Sequence, residues 1–219
     1  DSILVNGGSE ERRKFMNGVI AQYNRRYLDD LILYNRAVTQ RNSLLKEMSR
    51  GTGSPTGVLE VWDEQLIRYG VPVYLERKRF VQELLPVFAR FYEQVSGGRE
   101  EVTLTYQTQL DDTDFREVLE RSREKDRIVQ YTTFGVHKDD LEMLVGTHPL
   151  KKSGSQGQQK TYLVALKLAE FEFIRQIKEL PPILLLDDVF DKFDSRRVAH
   201  IIGLVAENNF GQIFITDTS

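Results

Sequence analysis

Apolar residues at Phe15, Val19, Tyr23, Tyr27, Leu31, Tyr34, Val38, Leu45 and Met48 recur at steps of mostly three, four or seven. That spacing lays them along one face of a helix. From Ser9 to about Arg50 the run holds no proline and one glycine. Ser9 followed by Glu10 and Glu11 reads as a helix start, with an N-cap and acids in the first turn. The stretch Gly51-Thr52-Gly53-Ser54-Pro55-Thr56-Gly57 ends the pattern. A second helical pattern runs through Leu59, Trp62, Leu66 and Tyr69, then Phe80, Leu84, Leu85, Phe88, Phe91 and Tyr92. Pro72 and Pro86 lack N–H groups and predict a kink or a break. Two long helices around a short loop predict an antiparallel hairpin. The aromatic residues at helical spacing point to a packed core rather than to base stacking.

After residue 98 the pattern changes. Val102 to Tyr106 alternates at period two and predicts a half-buried strand. Asp114 and Glu117 are spaced as a capping box opening a helix. Ile128–Tyr131 and Leu141–Val145 predict short strands around a turn at Gly135–Asp140, in which His137 reads as a turn residue. Gly154-Ser155-Gln156-Gly157-Gln158-Gln159-Lys160 predicts a Gly/Ser loop before a helix from about Thr161 to Lys178. A loop at a helix N-terminus offers free N–H groups and the positive dipole end to a phosphate; an ordinary helix capped by Ser155 has the same sequence.

Ile183-Leu184-Leu185-Leu186 is apolar without alternation, as in a parallel strand buried on both faces. It ends on Asp187 and Asp188. Two unit charges at ~5 Å in an effective dielectric of ~20 repel by about 3 kcal/mol. Mg²⁺ with nucleotide phosphates would offset that; so would full solvation of both aspartates. Alternation sends the two carboxylates to opposite sides. Asp194-Ser195-Arg196-Arg197 opens a further helix, and Gln212–Thr216 is a second strand. Strand, helix, strand with tight joins predicts parallel pairing. Ligands of such sheets sit at the carboxyl ends of the strands, where Asp187, Asp188 and Asp217 lie.

Composition narrows the classes. The 219 residues carry a net charge of −3 and no cysteine. A disulfide framework and cysteine-ligated zinc are thereby excluded. No apolar run approaches the roughly 18 residues of a membrane span, and the opening Asp1-Ser2-Ile3-Leu4 lacks a signal peptide's charged region. A cytoplasmic protein is the expectation. The chain starts without Met and ends one step past a strand, which suggests a fragment. Residues 1–50 hold nine basic and six acidic groups, residues 51–150 twelve and eighteen, and the rest nine of each. No segment is strongly basic. Local clusters such as Arg12-Arg13-Lys14 and Arg25-Arg26 are solvated helix faces or phosphate contacts.

Gly154-Ser155-Gln156-Gly157-Gln158 resembles the signature motif of ABC-type ATPases, Ile183–Asp188 their Walker B strand, and the stretch to Asp194 their D-loop. Together with Gly135–Asp140, Leu186-Asp187-Asp188-Val189-Phe190, Gly7–Phe15 and Tyr34-Asn35-Arg36 with Gln40-Arg41-Asn42, these motifs resemble the RecF family of bacterial DNA replication and repair proteins over essentially the whole chain. The resemblance implies an α/β fold: an ABC-ATPase-like lobe of parallel strands with crossover helices plus a long antiparallel helical arm, related to Rad50 and SMC heads. It implies an arm at 1–98 and the C-terminal part of the head at 99–219. ATP and Mg would be cofactors of the parent protein, with none tightly bound by the fragment. Ser155, Gln156, Gly157 and Gln158 would meet the γ-phosphate held by a second copy in an ATP-dependent homodimer. Asp187 would serve magnesium, Asp188 would stand where transporters have a catalytic Glu, Asp194 would bridge the dimer, and Asp217 and Thr218 would occupy the switch position. Arg12, Arg13, Arg25 and Arg26 would meet DNA. The implied task is binding gapped or single-strand/double-strand junction DNA with RecR and RecO family partners, away from membranes.

The sequence departs from the family pattern. Asp188 is a methylene shorter than Glu, Asp217 replaces the usual switch His, and no P-loop is present. Gly146–Ser153 imitates one, but Lys151 stands where the second glycine is needed for backbone approach. The fragment alone is therefore expected to hydrolyse no ATP. The alternatives are a non-enzymatic helical module for DNA or a protein partner, or a fragment of another SMC- or Rad50-like ATPase.

Overall fold

The computed structural model describes residues 2–50, 57–98, 100–111, 113–178, 182–187, 195–207 and 211–216. The chain divides into two compact units that interleave along the sequence. One comprises residues 1–15, 80–105 and 142–219, the other 16–79 and 106–141. Each draws on both sides of position 98, where the sequence suggested a division between arm and head.

The helical half holds α1 (Ser2–Asn6), α2 (Ser9–Tyr23), α3 (Arg25–Ser49) and α4 (Val58–Ser96). The single helix expected over Ser9–Arg50 is two. Asn24 leaves helical geometry at φ −122° and its side chain accepts the Tyr27 N–H at 3.0 Å, starting α3 afresh. Of the kink or break expected at Pro72 and Pro86, the break does not occur: α4 runs unbroken through 39 residues. An interior proline costs about 3 kcal/mol. Val73, Leu84 and Phe88 beside the two prolines are fully buried, each contributing about 1.5–3 kcal/mol.

In the second unit α3 and the first part of α4 pair in strict antiparallel register. Tyr27 meets Arg77, Tyr34 packs on Gly70, and Arg41 meets Asp63. Each step of seven up α3 is a step of seven down α4, which is a heptad seam. Leu44, Leu45 and Leu59 close it, with Trp62 against them. Helix α5 (Phe115–Val129) packs on α3 and begins at Asp114, which accepts the Glu117 N–H at 3.1 Å. The strand expected at Ile128–Tyr131 is instead the end of α5. Gln130 terminates it in the left-handed region, and Ile128 faces solvent.

Strands β1 (Val102–Gln107), β2 (Asp140–Val145) and β3 (His148–Pro149) form a sheet in that order, β2 and β3 antiparallel. In the first unit, α6 (Leu150–Ser153) leads to the long α7 (Gln156–Lys178). Its core is aromatic: Phe80 lies edge-on to Phe173, and Phe88 and Tyr92 enclose Tyr162. Phe80, Phe88, Phe91 and Tyr92 are buried, so none is available for base stacking. Strand β4 (Leu184–Asp187) pairs in parallel with β5 (Ile213–Thr216), α8 (Ser195–Glu207) intervening in sequence. The expectation of burial on both faces fails. Leu184 and Leu186 are buried, but Leu185 is 67% exposed and its partner Phe214 57%. The strand alternates after all, because among the described residues only one face of this two-stranded sheet is covered. No helix among them is long and apolar enough to cross a membrane.

Candidate nucleotide site

Helix α7 begins five residues earlier than the periodicity indicated. Polar Gln156–Lys160 carry no apolar signal, yet they form its first turn. Two reciprocal bonds set this start. Ser155 Oγ accepts the Gln158 N–H at 3.2 Å, and Gln158 Oε1 accepts the Ser155 N–H at 2.8 Å. This is a capping box built with glutamine. Gly154 is required just ahead of it: a Cβ there would stand 2.6 Å from the Leu150 carbonyl oxygen, which accepts the Gly154 N–H.

The chemistry of this turn follows from its donors. Ser155 and Gln158 N–H groups are taken by the box, and the Gln159 N–H by the Ser155 carbonyl. Among the described residues, the N–H groups of Gln156 and Gly157 have no intramolecular acceptor. Ser155 Oγ, engaged as an acceptor, still has its proton to donate. Ser155, Gln156 and Gly157 are exposed, and a Cβ at Gly157 would find only Ser155 Oγ, 3.9 Å away. The first turn carries no acid, so the dipole of a 23-residue helix is uncompensated from within. Apart from the Glu100 carboxylate at the Gln158 side chain, this open turn presents donors and suits an anion.

The ground around it is fixed by α1 and α6. Asn6 Nδ2 donates to Gln159 Oε1 at 3.3 Å, and Lys151 Nζ to the Gly7 carbonyl at 3.0 Å. Lys151 thus closes the end of α1 rather than serving a phosphate cradle. The P-loop imitation is in fact a left-handed turn at Gly146, the short strand β3 and one turn of helix. Deeper in α7, Tyr162 donates to the Thr103 carbonyl at 2.8 Å, and burial pushes its phenol well above the ordinary tyrosine range.

Asp187 closes β4, in register with Thr216. The Asp187 side chain, Asp188, Asp194, Asp217 and Thr218 lie outside the described residues. Among those described, no cluster of three acids or histidines could hold a metal ion. Of the arginines singled out, Arg12 donates to the Gly7 carbonyl at 3.1 Å, and Arg13 is half-buried on the same helix. Arg25 and Arg26 project into solvent, their side chains 83% and 90% exposed, opposite Asp29 and Asp30 one turn on. His137 is held as a turn residue. Its Nε2 faces the Thr132 carbonyl at 3.0 Å and must carry the proton, so Nδ1 accepts the Tyr34 hydroxyl at 2.8 Å.

Sequence reasoning missed Glu100, whose carboxylate accepts the Gln158 side-chain amide at 2.6 Å. It lies 58 positions away and belongs to no motif.

No family model matches the chain. It is 50% identical over its whole length to the DNA replication and repair protein RecF of Bacteroides thetaiotaomicron, and 50% identical to RecF of Parabacteroides distasonis. It spans 58% and 59% of those proteins' lengths. Among solved structures it is similar to the recombination mediator protein RecF-ATP of the RecFOR pathway, with a TM-score of 0.87 and 28% identity over all of this chain and 60% of that one. A weaker likeness, TM-score 0.51 at 15% identity over 98% of this chain and 52% of the other, joins its fold to the Smc head domain of Pyrococcus furiosus with an extended coiled coil. The fold is therefore the ABC-ATPase-like α/β head with a helical arm.

Proposed function

This chain is RecF-like from end to end, and on that premise we propose that it is the arm and C-terminal head segment of a cytoplasmic ATPase that binds DNA for replication and recombinational repair. ATP and magnesium are the cofactors of the parent protein. ATP brings two heads together, and the α7 turn of one meets the γ-phosphate held by the other. The DNA is gapped duplex or a single-strand/double-strand junction, and the partners are RecR and RecO family proteins.

The observation that carries this reading is the first turn of α7. Free N–H groups at Gln156 and Gly157, a hydroxyl proton on Ser155 and the absence of acids in the turn fit a phosphate and repel a cation. Gly157 leaves room for close approach. Magnesium would be held by Asp187, at the carboxyl end of β4, and would take its other oxygens from phosphate and water. When bound, it neutralises charge on the phosphates. In this reading Asp188 orients the attacking water, and with a shorter reach than Glu it does so slowly. In the same reading Asp194 bridges the dimer, and Asp217 and Thr218 take the switch position.

The test is a pair of measurements. In the full-length protein carrying this segment, Ser155→Ala abolishes ATP-dependent dimerisation and leaves ATP affinity unchanged. Residues 1–219 alone hydrolyse no ATP above background. Robust turnover by the isolated segment, lost in Asp187→Ala, would overturn the reading.

A further inference from the structure

The α7 turn is wired to one carboxylate ahead of β1. Gln158 Oε1 takes the Ser155 N–H at 2.8 Å, so the Gln158 Nε2 group faces the other way and requires an acceptor. Glu100 Oε1 supplies it at 2.6 Å. The second Glu100 oxygen takes the hydroxyl of Tyr92 at 2.9 Å. Tyr92 is itself immobilised, buried with its ring centroid 6.1 Å from Phe88 and 5.9 Å from Tyr162. An ionised carboxylate only accepts hydrogen bonds. Glu100 therefore dictates which end of the Gln158 amide points at Ser155.

We propose that Glu100 is a positioning residue for Ser155. It holds the Gln158 amide so that the capping box stays closed and the Ser155 hydroxyl proton, with the Gln156 and Gly157 N–H groups, points outward to a phosphate. This rests on the reading of α7 as the trans phosphate contact. A flipped Gln158 would set an NH₂ group against the Ser155 N–H, donor against donor, and the box would open. Glu100 reaches this role from the wall of an open cavity of about 460 Å³, lined also by Glu93, Glu101 and Gly146. Substitution there leaves no hole in the apolar core, so stability and positioning are separable.

The experiment uses the full-length protein with Glu100→Gln, Glu100→Ala, Glu100→Lys and Ser155→Ala, reading ATP affinity, ATP-dependent dimerisation and the thermal midpoint. Gln retains an oxygen for Gln158 and a donor for the Tyr92 oxygen, so dimerisation stays within about twofold. Lys places donor against donor and weakens dimerisation about tenfold, the value of one charge-assisted hydrogen bond. Ala falls between. ATP affinity holds in all three, because it does not require an ordered Ser155, and the thermal midpoint falls by no more than the few degrees that an opened helix cap costs. Because the two residues act as one unit, Ser155→Ala combined with Glu100→Lys is no weaker than the worse single variant. If Ser155→Ala leaves dimerisation intact, the trans-phosphate reading falls and this proposal with it. If Ser155→Ala abolishes dimerisation while Glu100→Lys does not, the positioning role alone is refuted. A Glu100→Lys defect that tracks a larger fall in the thermal midpoint, or a Glu100→Gln defect as large as that of Lys, also refutes it.

Discussion

Arg41 and Asp126 stand 85 positions apart and meet at 2.6 Å with neither side chain exposed. The same guanidinium reaches Asp63 at 2.7 Å and Thr132 Oγ1 at 3.1 Å. Asp126 spends its other oxygen on the Thr133 N–H and hydroxyl. The free oxygen of Asp63 accepts from Arg123. One buried cation thus ties α3, α4, α5 and the segment after α5 into the second unit. Removing one member of a buried ion pair strands the other charge, at about 3–5 kcal/mol. Arg41→Met is predicted to destabilise the 219-residue chain by about that much in urea denaturation. A loss under about 1 kcal/mol would show the network to be incidental.

Gly70 gives a sharper test, because propensity and packing oppose each other there. Glycine within a helix costs about 1 kcal/mol relative to alanine, so an exposed Gly→Ala change would stabilise. A Cβ at Gly70 would sit 2.6 Å from Phe115 Cε1 and 2.9 Å from Tyr34 Cε2, both in packed rings. Overpacking costs about 1–3 kcal/mol. Gly70→Ala is predicted to lower stability, and Gly18→Ala, where a Cβ meets nothing within 4 Å, to raise it. Stabilisation by Gly70→Ala would mean the seam between α3 and α4 is looser than Tyr34 and Gly70 imply.

The heptad seam explains what the sequence could and could not disclose. Tyr27 and Tyr34 announced the inner face of α3 because helical burial repeats along the chain. Asn24 did not announce a break, since the apolar spacing continues across it and only a cap bond marks the restart. Pro72 and Pro86 do not break α4, because propensity is local, whereas the packing that holds α4 through them comes from distant segments. At α7 the motif singled out Ser155 and Gly157 as candidates, but the polar first turn hid where the helix starts. Glu100 was invisible because its partner lies in another element. Leu185 looked like core by composition, and the side of a strand that is covered is a property of its neighbours.

Alkaline pH probes the same interior. Burial, and next the nearby Asp139 carboxylate, push the Tyr34 and Tyr106 phenols far above the ordinary tyrosine value; burial also raises Tyr27. An unfolded tyrosine loses its proton near pH ~10. Above that the unfolded chain binds fewer protons than the folded one, so stability falls as pH rises. The contribution is intact below pH ~10 and disappears above it. Each such phenol adds up to about 1.4 kcal/mol per pH unit to the slope. Tyr34→Phe is predicted to lower stability at pH 8 by losing the bond to His137, yet to flatten the decline between pH ~10 and ~11.5. Denaturation curves across that range with equal slopes in both proteins would contradict this.

The basic residues separate into two kinds, and that separation makes the DNA proposal testable. Arg12 is committed to a backbone carbonyl at the end of α1, so reversing it disturbs the fold as well as any phosphate it meets. Among the described residues Arg25 and Arg26 are held only by one-turn pairs at 3.4 Å to exposed Asp29 and at 3.9 Å to half-buried Asp30, worth a few tenths of a kcal/mol. Their reversal should leave the thermal midpoint within a degree or two. If both meet phosphates in the full-length protein, Arg25→Glu with Arg26→Glu lowers affinity for gapped duplex. It also reduces the slope of log K against log salt by about 0.9 for each phosphate no longer neutralised, or about 1.8 in all. Titration at several salt concentrations reads that slope directly. A weaker affinity with an unchanged slope would assign the two arginines an indirect effect, and unchanged affinity would remove them from the DNA-binding surface.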